Sequence, residues 1–164
     1  MLNKNEIEPA FYREAMANFA GAVHLVTTEG AAGRRGVTVI AACSVSDDPA
    51  TILVCLNREN QKNDVFRDNG VFALNTLAAE HQGLSADFAG LTGKPPEARF
   101  VADDWDTIST GAPTLKTALA VFDCELTEAK DFATHRVLFG RVTGLRVGDN
   151  LPALLYHRRA YRVL

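Results

Sequence analysis

Three stretches of this sequence carry side chains suited to holding a ligand. The first lies between Gly36 and Asn57. Thr38, Ser44 and Ser46 offer hydroxyls there, and Ala41, Ala42 and Cys43 keep the chain narrow. Small side chains let a flat ligand approach the backbone, and hydroxyls can donate to it or accept from it. An ordinary strand with a serine-rich turn has the same composition. The second stretch, Asn57-Arg58-Glu59-Asn60-Gln61-Lys62, runs into a helix start. Free amides at a helix N-terminus, with two cations beside them, favour an anion such as a phosphate. A solvated loop has the same pattern. The third is His135, which opens a strand beside Asp131 to Thr134. It suits a ligand contact, or a structural histidine whose ring bonds a backbone carbonyl. His24 in an apolar strand and His81 on a helix face suit packing or surface roles, and His157 falls in a turn.

Other chemistries lack their patterns. There is no Gly-x-Ser-x-Gly elbow, no His-Glu-x-x-His, no Gly-x-Gly-x-x-Gly after a strand and no Walker loop. A dinucleotide would have to bind outside the Rossmann scheme. Cys43, Cys55 and Cys124 are odd in number, widely spaced and set among apolar residues. They read as buried thiols of a reducing cytoplasm, with no disulfide and no metal site expected.

The bulk properties narrow the class. With 164 residues, 47% of them hydrophobic, the chain is expected to fold as one domain, 1–164, with a proper core. A net charge of −3 gives no basic stripe for nucleic acid. No apolar run reaches the roughly 18 residues of a membrane helix. Met1 to Glu8 is polar and mixed in charge, so no signal peptide is expected.

A β-rich chain must position the candidate groups. Pro9 opens a helix with Phe11, Ala15 and Phe19 on one apolar face, ended by Gly21. Ala22 to Thr28 reads as a strand and Glu29 to Gly36 as a turn. Gly36 to Ser46 is the next strand, broken from Ile52–Leu56 by Asp47-Asp48-Pro49. Ile52 to Leu56 is continuously apolar and expected to be buried on both faces. Asn60 caps a short helix carrying Val65 and Phe66, which Asn69-Gly70 closes. Val71 to Leu77 is a strand, followed by a helix with His81, Leu84 and Phe88 on one face. Arg99, Phe100 and Trp105 are expected at the surface or over a pocket. Val121 to Glu128 alternates Phe122, Cys124 and Leu126 with Asp123, Glu125 and Thr127, a half-buried antiparallel strand. His135 to Val147 is a long strand with a bulge at Gly144, and Leu154 to Leu164 closes the chain as a hairpin. Six or seven strands with three short helices predict a mainly β, closed or nearly closed antiparallel barrel.

These residues also carry a family resemblance. Val26-Thr27-Thr28, Gly36-x-Thr38, Ala42-Cys43-Ser44-Val45-Ser46, Asp48-Pro49, Leu53-Val54-Cys55-Leu56-Asn57-Arg58, Phe72-x-x-Asn75, Leu84-Ser85-x-x-Phe88, Arg99-Phe100, Gly111-x-Pro113-x-Leu115, Thr134-His135 through Gly140-x-Val142 and Tyr156-x-x-x-x-Tyr161 follow one another in a specific order. In that order the chain, from about Phe11 to Leu164, resembles the short-chain flavin reductases of two-component monooxygenases. It is most similar to the branch that serves pyrimidine utilisation and 4-hydroxyphenylacetate hydroxylation. The resemblance implies a split β-barrel of antiparallel Greek-key type, a cytoplasmic homodimer, and reduction of FMN or FAD by NAD(P)H, with NADH the expected donor, for a partner oxygenase. It implies that Thr38, Ala41, Ala42, Cys43, Ser44 and Ser46 lie along the flavin. It puts the phosphate at Asn57, Asn60 and Lys62, makes Arg99 and Phe100 further cofactor contacts, and sets His135 and Tyr161 beside the nicotinamide. Asn60-Gln61-Lys62 stands where the family often has Ser-x-Thr, and Ala133-Thr134-His135 where many members have Gly-Asp-His. A flavin-binding electron carrier and a pyridoxamine-phosphate-oxidase-like enzyme are the alternatives on the same barrel.

Overall fold

In the computed structural model, which describes residues 6–164, Pro9 sits in the first turn of helix α1 (Pro9–Met16), where its fixed φ suits the helix. Residues 1–5 of the polar N-terminal run lie outside the described residues. The helix stops at Met16, and Gly21 opens strand β1 (Gly21–Ala22) instead of ending the helix. The apolar face is not packed away: α1 buries no residue, and Phe11 and Phe19 are about three-quarters exposed.

Strands β2 (His24–Gly30) and β3 (Gly33–Val39) form a hairpin. The expected turn over Glu29 to Gly36 shrinks to Ala31-Ala32, with Gly30 facing Gly33 across the ladder. Gly36 serves packing within β3, because a Cβ there would lie 2.4 Å from the Phe88 ring. The expected single strand from Gly36 to Ser46 is in fact two. The chain turns a corner at Ile40-Ala41 and continues as β4 (Ala42–Asp47), which pairs with β5 (Ala50–Asn57). The β4–β5 turn carries the Asp48-Pro49 break as expected.

Helix α2 (Asp64–Asn69) follows a 3-10 turn capped by Asn60, and ends on Gly70 at φ 69°, the left-handed conformation that glycine tolerates best. Then come β6 (Val71–Thr76), α3 (Gln82–Phe88), the short pair β7 (Trp105–Asp106) and β8 (Thr114–Leu115), and the long strands β9 (Ala120–Phe132) and β10 (His135–Val147). The register of β9 against β10 shifts beside Gly140 and again between Val142 and Gly144, where a bulge was expected. The chain closes with β11 (Leu154–His157) and β12 (Ala160–Val163).

The main sheet is antiparallel, in the order β3-β2-β6-β9-β10-β5-β4, and β1-β11-β12 form a smaller one. The fold is mainly β with few helices. No hydrogen-bonded ladder joins β3 to β4, so the main sheet is not closed. Both faces of its middle are covered. One core gathers Val26, Val54, Phe66, Phe72 and Leu138, and the other gathers Leu25, Leu77, Phe88, Leu115 and Val121. Each such side chain contributes about 1.5–3 kcal/mol on burial. Two expectations change as a result. Asp123 is buried, not solvated, and accepts from the backbone N–H and hydroxyl groups of Ser109 and Thr110. On β5 only Ile52, Val54 and Leu56 enter the core, while Leu53 and Cys55 are half-buried on the other face. Cys43 is exposed, contrary to expectation, because β4 is an edge strand, whereas Cys124 is buried. Burial pushes the Cys124 thiol up to about 12.

Candidate functional site

The two edge strands of the open sheet part from a common corner. At Ile40-Ala41 the Ala42 amide donates to the Ile40 carbonyl at 2.8 Å, and the Cys55 amide donates to the Ala41 carbonyl at 2.9 Å. Beyond that point β3 follows β2, while β5 stays with β4 and β10. A cleft of about 350 Å³ opens between them. Val37 to Ala41 form one wall and Cys55 to Asn57 the other, with Arg35, Asn60, Asn63 and His135 at one end. An edge strand turns alternate N–H and C=O groups away from its neighbour, so the β3 wall offers backbone donors and acceptors that no strand receives.

Asparagines shape the polar end. Asn57 Oδ1 accepts from the Glu59 amide at 2.9 Å, and Asn60 Oδ1 accepts from the Lys62 amide at 3.2 Å. The buried Asn63 donates through Nδ2 to the Asn57 carbonyl at 3.0 Å and accepts from Arg35 Nε at 2.7 Å. His135 faces Asn57 across the β5–β10 ladder. Its Nδ1 shares a 2.9 Å hydrogen bond with the Thr134 hydroxyl, which leaves Nε2 for a ligand. Arg58 ties this end together, donating through its backbone amide to the Thr134 carbonyl at 3.0 Å and through its guanidinium to the Ala133 carbonyl at 3.0 Å. Arg136 braces it from behind, bonded to Asp131 and Asp64 at 2.6 Å each. The bond to Asp131 is the main reason the Arg136 guanidinium holds its proton more tightly than usual.

The structure brings Thr38, Ala41, Asn57, Asn60 and His135 to this one cleft. The Thr38 hydroxyl is already committed, donating to the Ser85 carbonyl at 2.6 Å. Ala42 lines a neighbouring apolar cleft of about 610 Å³, which lies against Met16, Phe19 and Tyr156 and shares Ile40 and Ala41 with the first. Tyr161 lines a third hollow, and its hydroxyl meets that of Ser85 at 2.8 Å. Arg99 and Phe100 line a cleft of about 480 Å³ that shares Arg35 with the first. Cys43, Ser44, Ser46 and Lys62 are not among the lining residues of these four clefts. The Ser46 hydroxyl accepts from the Asp48 amide, and the Lys62 side chain stands in solvent. Val37, Val39, Ile40, Cys55 and Leu56 line the first cleft too without having been expected as site residues, and Arg35 and Asn63 are the charged and amide groups that sequence reasoning missed. Two adjacent arginines among three glycines read as a turn, and nothing marks Asn63 as buried.

Among the described residues no carboxylate lines the first cleft, and Arg35 is its one lysine or arginine. Burial first, and then the nearby Cys43, push the Cys55 thiol above its usual range, so it is not a nucleophile. Neutral amides, unpaired edge backbone, one imidazole and one guanidinium suit a planar heteroaromatic ring with alternating donors and acceptors, carrying a negative charge at one end. The arrangement binds and orients; it holds no acid–base pair.

Comparison with known proteins agrees with this chemistry. Residues 16–164 match the flavin reductase like domain. The chain is 50% identical to the FMN reductase (NADH) RutF of Agrobacterium fabrum, over 93% of this chain and 87% of that one. Its fold superposes with a TM-score of 0.88 on BorF, the flavin reductase component of a bacterial two-component tryptophan halogenase, at 31% identity and covering 96% of this chain and 98% of that one. The styrene monooxygenase flavin reductase of Pseudomonas putida S12 superposes at 0.78, with 28% identity over 93% and 96% of the two chains. The chain belongs to the flavin reductase-like family.

Proposed function

We propose that this member of the flavin reductase-like family is an NADH-dependent FMN reductase that hands reduced flavin to a separate oxygenase. The observation that carries the reading is the cleft between the diverging strands β3 and β5, with unpaired edge backbone along one wall and His135 and Arg35 at one end. Flavin supplies the hydride-accepting electronics when bound, so the protein need only bind and align two rings. In this reading the β3 edge and the amides of Asn57 and Asn60 meet the polar edge of the flavin. His135 flanks the nicotinamide and acts by position. An open groove with neutral walls suits a flavin that must leave once reduced.

The same reading makes the domain, 1–164, a split barrel whose split is this cleft, since the Ile40-Ala41 corner links the two sheet edges covalently. It also makes the protein a homodimer. Cys43, Val45, Leu53, Cys55, Val137 and Phe139 sit on the outer face of β4, β5 and β10, all of them exposed or half-buried. An apolar sheet face of that kind needs a cover. Cytoplasmic residence fits an enzyme fed by NADH. Among the described residues no helix is long and apolar enough to cross a membrane.

Steady-state NADH oxidation with and without added FMN tests the reading. Turnover that depends on FMN concentration is expected. FMN binding without turnover would make the protein a flavin carrier.

A further inference from the structure

Arg35 is the only residue that lines both the β3–β5 cleft and the adjoining cleft of about 480 Å³. Its Nε is spent on Asn63 Oδ1, and its two terminal nitrogens have no partner among the described residues. It makes no ion pair. The second cleft also holds Arg99, whose Nε donates to the Lys94 carbonyl and which forms no ion pair among the described residues. Glu29, on the same wall, is taken by Arg34 at 2.9 Å. Burial, and then the charge on Arg99, make the Arg35 guanidinium give up its proton more readily than usual. Glu97 also lines the second cleft, but among the described residues neither Arg35 nor Arg99 forms an ion pair with it or with any other carboxylate, and a fork of N–H donors is the geometry that best fits a phosphate.

We propose that Arg35 and Arg99, at the junction of the two clefts, form an anion subsite for a phosphate group of the cofactor pair. The inference rests on the functional reading above. It moves the phosphate from the exposed Asn60–Lys62 turn to the half-buried Arg35 near the start of β3, whose fork Asn63 holds in place. The phosphate has two sources with the same chemistry, the 5′-phosphate of FMN and the pyrophosphate of NADH. Phe100 lies beside the pair, with the Arg34 guanidinium 5.3 Å from its ring centroid, so one side of the subsite is walled by an aromatic face.

The test is Arg35→Gln, which removes the charge and keeps an N–H donor for Asn63. Flavin binding is read by fluorescence quenching, and the melting temperature is expected to stay within a few degrees of wild type. If the subsite holds the flavin phosphate, FMN binds at least about tenfold more weakly while riboflavin changes less than about twofold. Arg99→Gln should give the same pattern to a smaller extent. If it holds the donor's pyrophosphate, both flavins bind as before, and KM for NADH rises while that for reduced nicotinamide riboside does not. Equal weakening of FMN and riboflavin, or no change in any of the four, overturns the subsite. So does a Lys62→Ala variant that loses FMN selectively while Arg35→Gln changes neither FMN binding nor KM for NADH. The binding arms need no turnover, so a protein that binds FMN through Arg35 but does not oxidise NADH refutes the reductase reading alone.

Discussion

At the scale of single residues, three of the four histidines have duties that the structure separates. His81 is structural: its Nδ1 accepts from the Ala78 amide at 3.0 Å and its Nε2 meets the Thr117 hydroxyl. His24 is bonded to Thr76 at 3.1 Å, and burial lowers its pKa to about 4. The folded protein therefore resists the proton that the unfolded chain accepts near pH 6.5. Stability should be unaffected above that pH and fall as pH drops from 6.5 to about 4, by up to about 3 kcal/mol from this group. Burial shifts His81 in the same direction, so the two losses add. Denaturant titrations across that window should show His24→Asn flattening the slope. A wild-type stability that does not change with pH there would contradict the assignment. His135 is the exposed histidine of the β3–β5 cleft and has the functional duty. His135→Ala should raise KM for NADH and lower kcat by about an order of magnitude, with little change in FMN affinity, because misaligned rings react slowly. Wild-type NADH kinetics in that variant from pH 6 to 8 would remove His135 from the nicotinamide site.

At the scale of elements, the sequence revealed most where one physical signal dominated. Pro9, the Asn60 cap, the Asn69-Gly70 stop and the thirteen-residue strand His135–Val147 were all legible, because capping, glycine conformation and β-branched runs act locally. The corner at Ile40-Ala41 was not. It is fixed by the pairing of Ala42 with Val54 on a strand that follows it in the chain, and composition carries no mark of that partner. Arg35 was lost for the same reason, since its hairpin reads as a glycine-rich turn. Asp123 alternates correctly as an outward residue, yet the loop Ser109-Thr110 folds over it and buries it. Four donors converge on its carboxylate, so Asp123→Ala should cost at least about 1–3 kcal/mol, the cost of leaving buried partners unsatisfied. Thermal unfolding measures this, and a melting temperature equal to wild type would show that water replaces the carboxylate freely.

At the scale of the whole molecule, two apolar surfaces have no cover from the described residues of their own chain. One runs from Phe11 on α1 to Phe19 just beyond its end, and the other is the outer face of β4, β5 and β10. A second copy that covers the sheet face accounts for its composition. Phe139→Asp should then shift sedimentation from dimer to monomer at micromolar concentration, with strand content unchanged by circular dichroism. A wild-type monomer would contradict the dimer and any site shared across it. Electron flow from NADH to the flavin is decided by a single anaerobic mixing experiment. Protein, a stoichiometric amount of FMN and one equivalent of NADH should bleach the flavin's visible absorbance completely, and admitted oxygen should restore it. FMN that stays bound and oxidised in the presence of NADH would contradict the assignment of this chain as a flavin reductase.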